Sequence, residues 1–217
     1  MRRSIVHLNN AAAATARSRR AFDRQANVYD NAHWGDHARG LYDDVLAHLD
    51  ALDFGSILDV GCGTGALLRA FVVARPEVVA LGLDLSPGMV EVARRRLGDL
   101  AHLTLGDATR LPYETSSVDI IICVDSFHHY PDPRAVLLEM QRVLRPTSHL
   151  ILADFWLPRP ARQIFNAVLR FLPYGDVRVY SERQLLELAR TADFAGLTWA
   201  PAGRRGQLLV GGPSAGR

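Results

Sequence analysis

Two patterns of apolar residues alternate along most of this chain. Runs of consecutive apolar residues are typical of strands buried on both faces of a parallel sheet, and they occur at residues 57–60, 78–83, 102–105, 118–124 and 149–153. Between these runs, apolar residues spaced three or four positions apart predict amphipathic helices. Strands that alternate with helices predict right-handed βαβ units and a doubly wound parallel sheet.

Signals at the ends of the predicted helices support the same division. Ser86 and Asp132 are good N-terminal caps, and each is followed by a proline at the first helical position. Ser181 and Gln184 have the spacing of a capping box. Pro146 is expected to close the helix that Asp132 begins. These residues locate three helices independently of the apolar pattern.

The N-terminal region is predicted to be flexible at first and helical afterwards. Residues 1–20 are rich in arginine and alanine and contain no acidic residue, which predicts a flexible end. Phe22 and Tyr29 belong to an apolar stripe that predicts a short helix over residues 17–30. A second stripe follows, so residues 21–54 are expected to contribute N-terminal helices to the domain.

The C-terminal region is expected to complete the same domain. A wide apolar stripe over residues 164–172 and the later capping box predict a helical cover within residues 155–192. Runs at residues 194–199 and 207–210 are joined by a glycine-containing turn and pair as an antiparallel hairpin. Residues 21–217 therefore form one α/β domain, in which a mostly parallel, doubly wound sheet with an antiparallel C-terminal hairpin strand has helices on both faces.

Composition restricts the classes of protein to which the chain can belong. With 217 residues, 48% of them hydrophobic and 22% charged, it is typical of one soluble domain. No apolar run is long enough to span a membrane and the net charge is only +2, so neither a membrane span nor a nucleic-acid partner is expected. The absence of lysine excludes chemistry on a lysine amine. Cys62 and Cys123 have no metal-ligand spacing, which predicts a cytoplasmic protein without a metal site.

A glycine-dense turn joins the first predicted strand to the helix after it. Its sequence is Gly61-Cys62-Gly63-Thr64-Gly65. The three glycines allow backbone conformations that a side chain forbids, and they leave room for a ligand beside main-chain N–H groups. We therefore predict that these five residues, called the glycine turn below, bind a cofactor.

Four aspartates lie at or near the carboxyl ends of predicted strands, where open parallel sheets bind their ligands. They are Asp59, Asp84, Asp107 and Asp125. Asp84 ends the second strand, so its carboxylate is placed to accept hydrogen bonds from both ribose hydroxyls of an adenosine bound over the glycine turn. The alternative role of Asp84 is that of a residue that starts a loop.

The stretch from Asp59 to Gly65 resembles the nucleotide-binding motif of class I S-adenosylmethionine (SAM) dependent methyltransferases. Residues 118–146 are similar to the part of that family that marks its small-molecule branch, which includes quinone methyltransferases. The resemblance is good over about residues 20–155. It implies a Rossmann-like fold and a reaction that converts SAM to S-adenosylhomocysteine.

The same resemblance implies roles for individual residues around the cofactor. Asp59 would orient the methionine end, and Asp107 and Ala108 would bind the adenine. Phe22-Asp with Tyr29-Asp is similar to a signature that precedes the core of many small-molecule methyltransferases, which places Tyr29 near the site. The other expected cofactor-binding residues are Leu85, Met89, Asp125 and Ser126. For Asp59 and Met89 the alternatives are a carboxylate bound by glycine-turn amides and a core side chain.

Two adjacent histidines, His128 and His129, would lie where the methyl group meets its acceptor. An imidazole titrates near neutrality, so either can act as a base on a phenol, a hydroxyl or an acidic carbon. The alternative is that both only line the pocket or bond to the backbone. The acceptor is expected to be covered by aromatic residues, or these residues instead pack the C-terminal helix or a dimer contact; they are Phe155, Trp156, Phe165, Phe171, Tyr174 and Tyr180.

The predicted function is O-, C- or N-methylation of a small, fairly apolar metabolite by in-line methyl transfer, in a monomer or homodimer. An NAD(P)-dependent oxidoreductase is an alternative, since Gly61-x-Gly63-x-x-Ala66 also fits the dinucleotide pattern. Gly65 and the Asp107-Ala108 pair favour SAM instead. A second alternative is a non-catalytic SAM-binding protein.

Overall fold

The computed structural model describes residues 2–169 and 175–214 of the chain. Its helices are α1 (Arg2–Gln25), α2 (His33–Asp50), α3 (Ala66–Ala74), α4 (Pro87–Leu97), α5 (Pro133–Val143), α6 (Ala161–Val168) and α7 (Glu182–Thr191). Its strands are β1 (Ser56–Val60), β2 (Val79–Asp84), β3 (His102–Leu105), β4 (Val118–Val124), β5 (Leu144–Phe155), β6 (Phe194–Ala202) and β7 (Gly206–Pro213). Single 3-10 turns occupy Tyr29–Asn31, Gly98–Leu100 and Phe127–His129.

The seven strands form one sheet in the order β3-β2-β1-β4-β5-β7-β6. The first five strands in this order run parallel to their neighbours, and β7 is antiparallel to both β5 and β6. The chain leaves β1 toward β2 and β3 and later returns to place β4 on the other side of β1. This reversal opens a crevice at the carboxyl ends of β1 and β4. The predicted fold class is confirmed.

The central strands are apolar on both sides because each side of the sheet is covered by helices. In β4, Ile121 and Cys123 face a core that includes side chains of α5 and α7. Ile120 and Ile122 face the opposite core, to which α2, α3 and α4 contribute. All four side chains are fully buried. The sheet is therefore fixed in place from both faces, and its strand ends are a rigid support for a site.

The predicted capping residues act as expected. Ser86 Oγ accepts a hydrogen bond from Met89 N at 3.1 Å at the start of α4. Asp132 Oδ1 accepts one from Ala135 N at 3.0 Å at the start of α5, and the capping box at Ser181 is complete. Each cap satisfies an N–H group that the first helical turn leaves without a partner.

The N-terminal region differs from the prediction. Helix α1 begins at Arg2, within residues 1–20 where we predicted a flexible end, and it ends at Gln25. Alanine has the highest helix propensity, and residues 11–14 are four consecutive alanines. Tyr29 lies outside this helix in a separate 3-10 turn, so the predicted helix over residues 17–30 is wrong at its C-terminal end.

Two further boundaries differ. Helix α5 ends at Val143 and β5 begins directly afterwards, so Pro146 lies inside a strand rather than at the helix end. The pairing of β4 with β5 changes register near this point, and a proline is tolerated at such an irregularity. Helix α6 ends at Val168, and the end of the apolar stripe predicted over residues 164–172 lies outside the described residues. No helix in the described part of the chain is long and apolar enough to cross a membrane.

Candidate functional site

A cleft of about 930 Å³, including its solvent-open mouth, lies at the carboxyl ends of β1, β2 and β4. A volume of this order is typical of sites for cofactors and small ligands. Of the predicted site residues, the cleft is lined by Tyr29, Gly61, Cys62, Gly63, Thr64, Asp84, Leu85, Met89, Asp107, Ala108, Asp125, Ser126 and His129. Asp59, Gly65 and His128 are next to the cleft but do not line it. The sheet therefore brings residues from five separate loops to one surface.

The three glycines of the glycine turn all have positive φ, but each is needed for a different reason. A Cβ on Gly61 would lie 2.0 Å from Ser126 Oγ, and a Cβ on Gly65 would lie 2.7 Å from Leu97 Cδ1 in α4. A Cβ on Gly63 would have none of the described heavy atoms within 4 Å. Gly61 and Gly65 thus allow close packing inside the protein, whereas Gly63 leaves space on the ligand side.

Asp84 connects the end of β2 to the glycine turn. Its Oδ2 accepts a hydrogen bond from Gly63 N at 2.8 Å, and its Oδ1 accepts one from Ser86 N at 2.8 Å. Burial raises the pKa of this carboxyl group, while the hydrogen bonds from Ser86 and Gly63 oppose that rise. The carboxylate is held by the backbone in one orientation on the cleft wall.

Asp59 lies behind the glycine turn and is only 3% exposed. Burial, together with the charge of Asp84, raises its pKa to about 8. The Gly63 amide that was one of its expected partners donates to Asp84 instead. Pairing with a cationic ligand group would offset the cost of burying the ionised form of this carboxyl group.

The residues expected to bind adenine follow β3. Asp107 Oδ1 accepts hydrogen bonds from Thr109 N at 2.9 Å and Thr109 Oγ1 at 2.8 Å, which fixes the loop. Ala108 is buried beneath the cleft surface, and Met89 is only 2% exposed. Cys62 turns its side chain toward β2, since a Cβ on Gly82 would lie 3.0 Å from its Sγ. Cys62 therefore contributes its backbone, and not its thiol, to the cleft.

A network of polar side chains ties the N-terminal segment to the glycine turn. Thr64 Oγ1 donates to Asp30 Oδ1 at 2.8 Å and accepts from Arg96 Nη1 at 2.7 Å, and Arg96 also pairs with Asp30. Asp23 Oδ1 accepts from Ser86 Oγ at 2.6 Å. These bonds tie the segment that carries Tyr29 to the cleft, which Tyr29 lines.

The two predicted histidines have different environments. His129 lines the cleft, and the ring of Phe22 packs edge-on against it at 4.8 Å. Burial and the neighbouring His128 lower the pKa of His129 well below its usual value. His128 is buried, and its Nδ1 lies 2.6 Å from Asp154 Oδ1. Although burial opposes it, Asp154 raises the pKa of His128 to about 10.

A third histidine, His37 of α2, joins the same end of the cleft. Its Nδ1 lies 2.8 Å from Asp125 Oδ1, and its Nε2 lies 3.1 Å from the carbonyl oxygen of Arg205. Burial lowers the pKa of His37, but the hydrogen bond to Asp125, the charge of that carboxylate and the hydrogen bond to the Arg205 carbonyl together raise it above its usual value. Asp125 has a positive φ of 51°, and this backbone conformation turns its side chain toward α2.

Comparison with known proteins finds a similarity over the part of the chain that forms this cleft. Residues 58–152, slightly less than half of the chain, match the family model described as a methyltransferase domain, and this stretch contains the glycine turn and the ends of β2, β3 and β4. By similarity, this part of the chain is assigned to a methyltransferase domain.

Relatives and solved structures agree with this assignment. The chain is 38% identical to a demethylmenaquinone methyltransferase of Deinococcus radiodurans over 118 residues, which cover 52% of this chain and 48% of that protein. It is 29% identical to the 27-O-demethylrifamycin SV methyltransferase of Amycolatopsis mediterranei, over 81% of this chain and 73% of the relative. The first match thus spans about half of the relative's length.

The fold is shared with a methyltransferase solved in complex with the Haloferax volcanii Trm112 methyltransferase activator. The TM-score is 0.79 at 21% sequence identity, and the match covers 92% of this chain and 99% of that chain. At this identity the likeness supports the methyltransferase fold and nothing finer.

The aromatic cover predicted for a methyl acceptor is not found as expected. Tyr180 is buried against Phe127, with ring centroids 5.5 Å apart, and Trp156 packs on Trp199 at 6.3 Å. Both rings therefore pack the protein rather than line the cleft. Phe155 and Phe165 contact each other at 5.7 Å beside the histidines. Phe171 and Tyr174 lie outside the described residues.

Sequence reasoning missed several residues at the end of the cleft that contains the histidines. Asp154 lies at the carboxyl end of β5, so the rule that identified the other aspartates could also have found it. Asp176 and His37 come from an irregular segment and from a helix, and no local pattern marks them. Asp30 and Arg96 are charged residues that only the tertiary structure brings together.

Proposed function

We propose that this protein is a SAM-dependent methyltransferase that methylates a small, fairly apolar metabolite. The observation that carries the proposal is the convergence of the glycine turn, Asp84 and the Asp107-Ala108 loop on one cleft that continues to His129. The space beside Gly63 fits a ligand that lies against the turn. A cofactor bound there would contact all three of these loops at once.

Individual residues are suited to different parts of the cofactor. Asp84 has a fixed carboxylate that can accept hydrogen bonds from ribose hydroxyls. Ala108 and the Asp107 loop would hold the adenine, and Leu85 and Met89 would pack beside the adenosine. Asp59 lies near the glycine turn, where its burial favours pairing with the cationic methionine end. When bound, SAM supplies a methyl group that is already activated on a sulfonium.

With an activated donor, the chain mainly has to bind, align and exclude water. Tyr29 and Phe22 cover the cleft, and their segment is fastened through Asp30 and Thr64. We assign to His129 and His128 the removal of a proton from the acceptor when the acceptor must be ionised before methyl transfer. O-, C- and N-methylation are all compatible with this arrangement.

The names of the relatives support a small-molecule acceptor. The protein from Deinococcus radiodurans is named for demethylmenaquinone and that from Amycolatopsis mediterranei for 27-O-demethylrifamycin SV. The second name refers to methylation at an oxygen. Neither name identifies the acceptor of this chain, but both favour an organic metabolite over a protein or a nucleic acid. A dehydrogenase has no comparable support among these relatives.

Calorimetric titration with SAM and with S-adenosylhomocysteine tests the cofactor assignment. We expect saturable binding at one site per chain, and Asp84→Asn should weaken it at least about tenfold because a charged hydrogen-bond acceptor is lost. Asp99→Asn removes an exposed carboxylate from a 3-10 turn and is the matched control. The absence of saturable binding, or equal binding by the Asp84 and Asp99 variants, would refute the assignment.

Transfer of a labelled methyl group tests the activity itself. We expect label from SAM to appear in a small-molecule fraction of cell extract and not in RNA or protein. Label found only in macromolecules would refute the small-molecule assignment. Cofactor binding without transfer to any fraction would favour the alternative of a non-catalytic SAM-binding protein.

A further inference from the structure

Two histidines and two aspartates form a cluster at the acceptor end of the cleft, and cofactor binding accounts for none of them. They are His128, His129, Asp154 and Asp176, called the histidine cluster below. His128 Nε2 lies 3.8 Å from Asp176 Oδ1, and His129 Nδ1 lies 3.2 Å from the same oxygen. The two imidazole rings are adjacent, with centroids 4.0 Å apart. Three potential ligand atoms therefore lie around one point.

The contact between His129 and Asp176 is not a hydrogen bond. Although the atoms are 3.2 Å apart, Nδ1 of His129 is buried and has no hydrogen-bond partner among the described residues. A buried nitrogen without a partner is costly in a folded protein. An imidazole nitrogen that lies close to a carboxylate oxygen without a hydrogen bond between them is the arrangement expected of two ligands that share a cation.

Asp154 provides the support that a metal-binding histidine normally has. Its Oδ1 lies 2.6 Å from Nδ1 of His128, which leaves Nε2 of His128 directed to the side of Asp176. Histidine ligands commonly donate their second N–H group to a carboxylate, and this bond fixes the ring orientation. Asp154 is 1% exposed, so its position is set by the core.

Carboxylates are concentrated around His128. Asp154 Oδ1 lies 2.6 Å from its Nδ1, and Asp176 Oδ1 lies 3.8 Å from its Nε2. The carboxylate of Asp125, which is paired with His37, lies at the same end of the cleft. Such a concentration of carboxylates beside two imidazoles favours the binding of a metal cation in place of protons.

A second group, Asp125, His128 and Asp154, also has ligand atoms within 4.8 Å of one another. In that group His37 already binds Asp125 and the Nδ1 of His128 already binds Asp154, whereas Asp154 Oδ2 has no hydrogen-bond partner among the described residues. An ion held by His128 Nε2, His129 and Asp176 leaves both of these bonds intact.

We propose that His128 Nε2, His129 Nδ1 and Asp176 Oδ1 bind a divalent transition-metal ion of the Zn²⁺ type. Two imidazoles and one carboxylate are a common ligand set for such ions when another position stays open. Ligands about 2.0–2.1 Å from a tetrahedral Zn²⁺ are about 3.3 Å apart, so the distances of 3.2 and 3.8 Å need only a small adjustment. The sequence predicted no metal site because Asp176 is far from the two histidines along the chain.

The role of the ion rests on the proposed methyl transfer, whereas ion binding itself does not. His129 lines the cleft, so the open coordination position would face the acceptor. A hydroxyl or phenol oxygen bound to such an ion loses its proton near neutral pH. The ion would therefore carry out the ionisation assigned above to the two histidines, and it would select acceptors that have an oxygen at the reacting end.

Metal titration of the untagged, chelator-treated full-length protein tests this proposal. We expect one Zn²⁺ per chain by calorimetry, and Co²⁺ should give the intense visible absorption of a tetrahedral site. Asp176→Asn and His129→Gln should each weaken binding more than about tenfold. His102→Gln, at an exposed histidine of β3, and Asp99→Asn are the matched controls and should bind like the parent chain.

Each outcome of this titration either supports or overturns the proposed metal site. Failure of Zn²⁺ to bind, or equal binding by the Asp176 and His129 variants and their controls, would overturn the proposal, since the ion would then be absent or bound elsewhere. SAM binding by both variants at parent affinity shows that they are folded and that the cofactor site is intact. Zn²⁺ binding by a chain that does not bind SAM would support the metal site and refute the proposed methyl transfer.

Discussion

Replacement of Gly61 by alanine tests the packing of the glycine turn, and Gly63→Ala is its internal control. Both glycines have positive φ, at 81° and 53°, so each substitution carries a similar backbone strain of about 1–2 kcal/mol. Only at Gly61 does the new methyl group meet the protein, at 2.0 Å from Ser126 Oγ and 2.9 Å from Tyr130 Oη.

The clash at Gly61 adds a second cost. Ser126 and Tyr130 are joined by a hydrogen bond of 2.8 Å, and they must move together to admit a methyl group. Overpacking of this kind costs about 1–3 kcal/mol. The free energy of unfolding should therefore fall by about 2–5 kcal/mol in Gly61→Ala and by about 1–2 kcal/mol in Gly63→Ala. The two variants should differ most clearly in stability.

SAM binding should be weakened most by Gly63→Ala, which is the variant that loses less stability. The methyl group of Gly63→Ala lies in the space that we assign to the cofactor, so SAM affinity should fall at least about tenfold while the protein remains well folded. Urea unfolding and calorimetric titration measure the two quantities. Equal stability of the two variants would show that Ser126 yields easily, and unchanged SAM affinity in Gly63→Ala would show that the cofactor does not approach this residue.

Two other predictions concern side-chain hydrogen bonds, one at the edge of the sheet opposite the cleft and one at the glycine turn. Although burial opposes it, hydrogen bonds from Arg145 and Ser56 lower the pKa of Asp119, so the stability it contributes is present above its unfolded-state pKa and is lost as pH falls through the folded value. Asp119→Asn should therefore reduce the urea-unfolding free energy by about 0.5–1 kcal/mol at pH 7 and by less near pH 3, and an equal loss at both would contradict this. Thr64→Val removes the hydroxyl bonded to Asp30, so amide exchange over residues 26–31 should accelerate about tenfold, and unchanged exchange would show that this bond does not hold the segment.

The parts of the fold that the sequence predicted are those whose signals are local. Strand β4 is recognisable from its apolar run, and α4 from the cap at Ser86, because neither depends on distant residues. The start of β5 was not predicted because a proline normally marks a helix end, and its place in a strand depends on the irregular pairing with β4. The early start of α1 depends on consecutive alanines that carry no apolar stripe.

The two halves of the candidate site differ in the same way. Residues expected at the cofactor end follow strands directly, so the order of elements along the chain is enough to bring Gly63, Asp84 and Asp107 to one edge of the sheet. At the other end of the cleft, His129 also follows a strand, but its neighbours Phe22 and Asp176 come from α1 and from the segment between α6 and α7. Asp176 reaches the histidines because the amides of Val177 and Arg178, at 2.9 and 3.1 Å, donate to the carbonyl oxygen of His128.

Because of this backbone contact, side chains at the histidine end of the cleft can be replaced more freely than residues of the glycine turn. The segment that carries Asp176 is held by the main chain of the 3-10 turn at Phe127–His129, so its side chains can be replaced without loss of the two amide bonds. The cofactor end has no such freedom, because Gly61 and Gly65 are fixed by close packing and Asp84 by bonds to two amides. Substitutions in the segment after Gly175 should therefore alter acceptor choice and metal binding while SAM affinity stays constant, and substitutions in the glycine turn should do the reverse.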